Sequence, residues 1–172
     1  MSALRRILIT GTCAAAAVLP SVAANAESTV PPQDRNYLIA AHQTNLTEIA
    51  LGYRAQAMTS CPKIQEMSAT LLADHMRLDQ MDTAAADQLG VQLPTLPTQE
   101  QNQTILNTST RIGRDFDAAW IQAELAGHQK AAKAGNAEMA SGGSQPVKNI
   151  AQQTVPIVQA HQRDLAAAAA IC

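Results

Sequence analysis

Four long segments of the chain repeat hydrophobic residues at steps of three and four, and this spacing predicts four amphipathic α-helices. The segments begin near residue 33, at Pro62, near Asp115 and at Pro146. No segment alternates apolar and polar residues with a period of two, so strands are not expected. Long amphipathic helices without a sheet must bury their apolar faces against one another. The pattern therefore predicts an all-α fold built as a four-helix bundle.

The helix boundaries follow from proline, glycine and capping residues. The first two long helices are expected over residues 33–59 and 62–89. Residues 98–111 are expected to form a short, mostly polar helix, and Asp115 is the expected N-cap of the third long helix. Pro156 lies inside the fourth helix and should kink it. The expected buried stripe of the first helix takes every third or fourth residue: Leu38, His42, Leu46, Ile49 and Tyr53.

The first 26 residues have the pattern of a secretory signal peptide. Arg5 and Arg6 precede an apolar run over residues 7–19, and Ala24-Asn25-Ala26 is a small-x-small cleavage signature. Cleavage after Ala26 would leave residues 27–172 as a single domain in the periplasm or outside the cell. Nothing later in the sequence reaches the ~20 apolar residues that cross a bilayer. No transmembrane span is therefore expected in the mature chain.

Export also bears on the cysteines. Removal of the signal peptide takes Cys13 away and leaves Cys61 and Cys172. Two cysteines in an exported protein favour a disulfide, and two unpaired thiols are the alternative.

Charge argues against a nucleic-acid partner. The chain has 12 Lys and Arg against 14 Asp and Glu, for a net charge of −2. It contains neither a basic cluster nor a glycine-rich phosphate loop.

The spacing of histidines distinguishes two ways of connecting the helices. His42 and His75 lie 33 residues apart on either side of a turn. The same spacing separates His128 and His161. In a plain up-and-down bundle, His128 would miss the level of His75 by roughly 20 Å. If residues 90–113 instead cross back along the bundle, all four histidines meet at mid-height and both cysteines lie at one end. The sequence therefore predicts a ferritin-like bundle, with a crossover between helices two and three that carries the short extra helix.

A layer of imidazole and carboxylate groups is expected at mid-height of this bundle. Such groups are ligands of transition metals, here zinc, copper, iron or manganese. Glu124 precedes His128 by one turn and can orient its ring or share the ion. Gly52 is expected to leave room beside Glu48, one turn earlier. The candidate metal-binding residues are Glu48, Asp74, His75, His128 and His161, together with His42 and Glu124.

The same layer also has a structural interpretation. A buried histidine–carboxylate pair satisfies its own hydrogen bonds and can fix the register of packed helices. Two functional classes are therefore open. One is an exported metal-binding or redox-protective bundle, and the other is a non-catalytic helical module for stress tolerance or partner binding. Serine and threonine are abundant, but none lies in the context of a nucleophile elbow or triad.

Several short motifs follow one another in order along the chain: residues 46–52 (LTEIALG), 72–75 (LADH), 90–94 (GVQLP), Phe116-Asp117, His128, Val155-Pro156 and His161. In this order they resemble an exported bacterial ferritin-like family that is catalogued as a domain of unknown function, whose members are often labelled outer membrane proteins. The resemblance covers residues 36–171. It implies the ferritin-like bundle and five pattern positions: Glu48, Asp74, His75, His128 and His161.

The chain departs from the family pattern at two positions. His42 stands where a small residue is usual, and Trp120 stands where the family has tyrosine. The sequence also lacks the Glu-x-x-His pairs that di-iron ferritins carry on two helices. Ferroxidase chemistry and iron storage are therefore not expected, and the resemblance implies a fold without an established reaction.

Overall fold

The structure is a computed structural model that describes residues 30–172. Within this range it contains five helices and no strand: α1 (Pro32–Met58), α2 (Pro62–Leu89), α3 (Gln99–Ser109), α4 (Gly113–Ser141) and α5 (Gln145–Ala169). The all-α prediction is confirmed, and the helix boundaries lie within about two residues of those expected. The signal peptide predicted at residues 1–26 lies outside the described residues.

The direction of the helices follows from contacts at one end of the bundle. A disulfide joins Cys61, just before α2, to Cys172, just after α5, with the two Cα atoms 5.7 Å apart. At the same end, Asp117 in the first turns of α4 accepts hydrogen bonds from the hydroxyls of Thr59 and Ser60. Both α2 and α4 therefore start at this end and run parallel, whereas α1 and α5 finish here. The predicted disulfide is confirmed.

The opposite end gives the same directions independently. Asp34, in the first turn of α1, accepts hydrogen bonds from the backbone N–H groups of Gly143 and Ser144 at 3.0 and 2.6 Å. These two residues form the turn between α4 and α5. The start of α1 therefore lies beside the end of α4, as an antiparallel arrangement of these two helices requires.

The connection between α2 and α4 runs along the outside of the bundle. α3 packs against α1 and α4 on this path, whereas α1 and α5 each pack against both α2 and α4. Thr98 caps α3 in a capping box with Gln101. The predicted ferritin-like crossover is thereby confirmed. None of the helices in the described part of the chain combines the length and apolar composition needed to cross a bilayer.

One local prediction differs from the structure. Asp115 is not the N-cap of α4, because the helix already begins at Gly113 with Ile112 in the cap position. Asp115 lies instead in the first turn, where its negative charge interacts favourably with the helix dipole. Pro156 lies inside α5, as the sequence predicted.

The buried face of α1 also differs from the expected stripe. Tyr53 is 54% exposed, and Leu46 and Ile49 are only partly buried. Asn45 and Glu48 are buried in their place. Leu38 and His42 are buried as expected. Beyond His42 the buried positions shift by one residue, because α1 turns polar side chains into the core at mid-height.

The core is apolar near both ends of the bundle and polar between them. Near the disulfide it includes Leu51, Ile64, Met67, Leu71, Phe116 and Trp120. Near the opposite end it includes Tyr37, Leu38, Ala86, Val91, Val147 and Ala151. Full burial of a large apolar side chain contributes about 1.5–3 kcal/mol. The two apolar ends can therefore hold the helices together while the middle carries polar groups.

We expect Cys172→Ser to lower the free energy of unfolding by up to about 4–5 kcal/mol, because the disulfide restricts the unfolded chain over a long loop. The loop spans 111 residues. Urea denaturation of Cys172→Ser, of Cys61→Ser and of the reduced wild type should give the same loss. A wild-type protein that reacts fully with an alkylating agent before reduction would contradict the bridge.

Candidate metal centre

Three histidines from three helices meet at mid-height. His75 on α2, His128 on α4 and His161 on α5 are each at most 3% exposed. Their ring centroids lie 5.2–5.5 Å from one another. Nε2 of His128 is 3.4 Å from Nε2 of His75 and 3.1 Å from Nδ1 of His161. One nitrogen of each ring therefore faces a common centre, which we call the tri-histidine centre.

The other nitrogen of each ring faces a hydrogen-bond acceptor. The three bonds are His75 Nδ1 to Asn45 Oδ1 at 2.8 Å, His128 Nδ1 to the Glu124 carbonyl at 2.8 Å, and His161 Nε2 to Asp74 Oδ2 at 3.1 Å. A nitrogen that donates to such an acceptor carries the proton of a neutral ring. In the neutral form of all three rings, the nitrogens that face the centre therefore keep their lone pairs.

Two of these acceptors are themselves held in place. Asn45 Nδ2 donates to Asp82 Oδ2 at 2.8 Å, which leaves its carbonyl oxygen directed at His75. Asp74 Oδ1 accepts a hydrogen bond from Arg77 at 3.2 Å. Partners of this kind fix the tautomer and orientation of a histidine ring.

Burial favours the neutral form of His75 and His161. It holds the pKa of His75 well below its ordinary value, and the neighbouring rings of His128 and His161 lower that pKa further. Burial and His128 also lower the pKa of His161, against the opposing effect of Asp74. Neutral imidazole is the form that binds a metal ion.

A pair of carboxyl groups lies on the other side of His128. Glu124 and Glu48 are 0% and 3% exposed, and their Oε2 atoms lie 3.6 and 3.9 Å from His128 Nδ1. Burial, and then the neighbouring Glu48, raise the pKa of Glu124 well above its usual range. The part of Glu124 that orients His128 is its backbone carbonyl, not the carboxylate that the sequence suggested.

Space for Glu48 comes from a glycine that the sequence analysis missed. A β-carbon at Gly127 would lie 2.6 Å from Glu48 Oε1, so only glycine permits this approach. Gly52, expected to make this room, faces the side chain of Leu72 instead. The position of Gly127 immediately before His128 in the sequence is the one signal that could have indicated it.

His42 lies outside the tri-histidine centre, so the predicted layer of four histidines is not formed. Its Nδ1 lies 2.6 Å from Asp79 Oδ1, and its Nε2 lies 2.9 Å from the Pro94 carbonyl oxygen. Both ring nitrogens are therefore engaged away from the tri-histidine centre. At the level of His75, α1 contributes Asn45, one turn further along the helix.

A cavity of about 670 Å³ opens between α1, α3 and α4. Its floor includes Asn45, Glu48 and His75. Small side chains line much of its wall: Ala40, Ala41, Ala123, Ala126 and Ala131. The volume is in the range of small-molecule sites, and the cavity brings the tri-histidine centre and Glu48 within reach of small ions and water.

Comparison with known proteins identifies the fold of this chain but no reaction or ligand. Residues 19–168 match the model of a family described as a domain of unknown function, DUF4142. A DUF305 fragment from Deinococcus radiodurans has a similar structure at 11% identity, with a TM-score of 0.74 over 83% of this chain and 99% of that one. A DUF305 protein from Streptomyces coelicolor, inferred to be secreted, has 10% identity and a TM-score of 0.67 over 77% and 88%. No curated protein matches the sequence.

We expect Asp82 to make the protein less stable as the pH rises. The residue is 2% exposed, and burial, with Asp79 as a further cause, raises its pKa from 3.8 to about 8 against the Asn45 hydrogen bond. The folded state therefore holds a proton between pH 4 and 8 that the unfolded chain has lost. Each pH unit in this window removes up to about 1.4 kcal/mol of stability.

The variant Asp82→Asn should not show this decrease in stability with rising pH. Its stability and that of the wild type should be similar at pH 5, and the variant should be more stable at pH 8 by at least about 1 kcal/mol. Urea denaturation at both pH values measures the difference. Asp87→Asn, at an exposed position of the same helix, should follow the wild type. An equal pH dependence in wild type and Asp82→Asn would contradict the assignment.

Proposed function

The chain belongs to the DUF4142 family of domains of unknown function, and from its buried histidines we propose that it is an exported helical bundle that binds one transition-metal ion between His75, His128 and His161. One observation carries this proposal. Three imidazole lone pairs converge, and the other nitrogen of each ring is already hydrogen-bonded to an acceptor.

The distances at the centre suit a metal ion. Metal–nitrogen bonds of 2.0–2.1 Å in tetrahedral geometry place two ligand nitrogens about 3.3 Å apart. His128 Nε2 lies 3.1 Å from His161 Nδ1 and 3.4 Å from His75 Nε2. Three imidazoles favour zinc or copper among the divalent ions. The cavity beside His75 leaves a side from which a water molecule can reach the ion.

A purely structural layer explains the same geometry less well. Two buried nitrogens that both carry lone pairs repel each other when no proton or ion lies between them. Buried polar groups are nearly always given a partner, because an unpaired one costs about 1–3 kcal/mol. With the other nitrogen of each ring protonated, a metal ion would supply one shared partner for these three nitrogens.

Export is the second part of the proposal. We infer that cleavage after Ala26 releases residues 27–172 as a single domain into the periplasm or the medium. The signal-like sequence supports this, as does the disulfide between Cys61 and Cys172, since disulfides persist in oxidising compartments. The secreted assignment of the Streptomyces coelicolor protein points the same way.

We expect added zinc or copper to stabilise the metal-free mature protein. At a hundredfold excess over Kd the gain is about 2.7 kcal/mol. Thermal melting with and without a chelator should show this shift in the wild type and its loss in His75→Ala and His161→Ala. His42→Ala is the matched control, because it removes a buried histidine outside the centre and should retain the shift.

The structural alternative gives a different pattern. Each alanine variant would then melt earlier by the same amount with and without metal, because only packing and hydrogen bonds are lost. A wild-type midpoint that neither zinc, copper, iron(II) nor manganese moves would overturn the tri-histidine proposal.

We also expect Asp74→Ala to weaken metal binding while it leaves the stoichiometry at one ion. Asp74 acts through the Nε2–H of His161, and loss of such a partner reduces metal affinity by about 10–100-fold. Competition with a chromophoric chelator measures the change. Asp79→Ala removes the corresponding carboxylate beside His42 and should bind zinc as the wild type does. Equal affinities in the two variants would contradict the role of Asp74.

A further inference from the structure

Two buried carboxyl groups beside the tri-histidine centre have fewer partners than their burial requires. Neither oxygen of Glu124 has a hydrogen-bond donor, and Oε2 of Glu48 has none either. The two side chains come from different helices, α1 and α4. His128 Nδ1 is nearby, but its proton is directed to the Glu124 carbonyl. Apart from a proton that the two carboxyl groups can share, no residue therefore donates a hydrogen bond to these oxygens.

The packing around the pair keeps a path open to it. Glu48 lines the cavity between α1, α3 and α4. Its carboxyl group lies against Gly127, where any larger residue would displace it. Glu124 lies behind it, fully buried. The carboxyl groups are thus arranged in sequence from the cavity towards the interior of the bundle.

We propose that Glu48 and Glu124 form a second cation site, separate from the tri-histidine centre, that takes an oxygen-preferring divalent ion such as Mn²⁺ from the cavity. The site goes beyond the proposed function because its ligands and its ion class differ from those of the histidines. One or two carboxylates, completed by water, are the usual protein ligands of Mg²⁺, and Mn²⁺ also prefers carboxylate and water. The cavity provides the room for that water.

The chemistry at the pair favours a metal cation over an organic ligand. Glu124 is fully buried behind Glu48, so an ion must pass between the two carboxyl groups to contact both. An alkylammonium group on a carbon chain is larger than a bare or partly hydrated metal ion and would contact Glu48 alone. The groups nearest the pair on the packed helices are His128 and Gly127. Of the cationic side chains that line the cavity, Lys130 is paired with Glu100 at 2.6 Å, and Arg111 is the other.

The test uses mature protein loaded first with one equivalent of Zn²⁺ and then titrated with Mn²⁺. Bound Mn²⁺ is measured by the loss of the free-ion signal in electron paramagnetic resonance, and Zn²⁺ by mass spectrometry of the desalted protein. We expect one bound Mn²⁺ per chain in the wild type. Glu48→Gln should weaken Mn²⁺ binding by at least ~10-fold and leave Zn²⁺ in place. Glu66→Gln, at an exposed position of α2, is the matched control and should bind both ions.

Two further variants separate this proposal from the first. His161→Ala should lose Zn²⁺ and keep Mn²⁺, so failure of the tri-histidine centre does not affect the outcome for the carboxylates. Gly127→Ala, which displaces Glu48, should lose Mn²⁺ and keep Zn²⁺. No Mn²⁺ binding by the wild type up to about 1 mM, or equal binding by Glu48→Gln and Glu66→Gln, would overturn the second site.

Discussion

The register between the two helical hairpins is the constraint on which the polar layer depends. His75 and His128 meet only because α2 and α4 run parallel from the same end of the bundle. Asp117 fixes this arrangement, since it accepts hydrogen bonds from Thr59 and Ser60 in the turn between α1 and α2. The disulfide brings the end of α5 to the same place. If one hairpin slipped by one helical turn along the other, the rings of His75 and His128 would be displaced by about 5.4 Å along the bundle axis.

Much of this arrangement could be predicted from the sequence. Equal spacings between histidines, together with two cysteines, were enough to derive the crossover and to bring His75, His128 and His161 to one level. The same argument placed His42 wrongly. His42 lies about four residues further than His75 from the turn between α1 and α2, which is about 6 Å along the helix axis. Counting residues from the turn of a hairpin is not accurate enough to detect an offset of one helical turn. At the height of His75, the residue that α1 contributes is Asn45.

Contacts between helices account for the rest of the differences. The buried face of α1 was misassigned only beyond His42, because Asn45 and Glu48 are polar and periodicity analysis treats polar residues as exposed. The approach of Glu48 to Gly127 depends on the distance between α1 and α4, which the sequence does not contain. The role of the Glu124 carbonyl was also inaccessible, because a sequence distinguishes side chains and not backbone atoms.

The polar layer persists although an apolar one would hold the bundle together more simply. Replacement of a buried polar network by packed hydrophobic residues is often neutral or stabilising. Here the layer contains three imidazole lone pairs on one side of His128 and carboxyl oxygens without donors on the other. Both sets lack hydrogen-bond donors, because acceptors outnumber donors in this buried region. Protons can meet part of that deficit, as the raised pKa of Glu124 indicates. A cation can take the place of the missing donors at both sets, with nitrogen ligands for one ion class and oxygen ligands for another. We therefore assign the middle of the bundle to cation binding and its ends to stability.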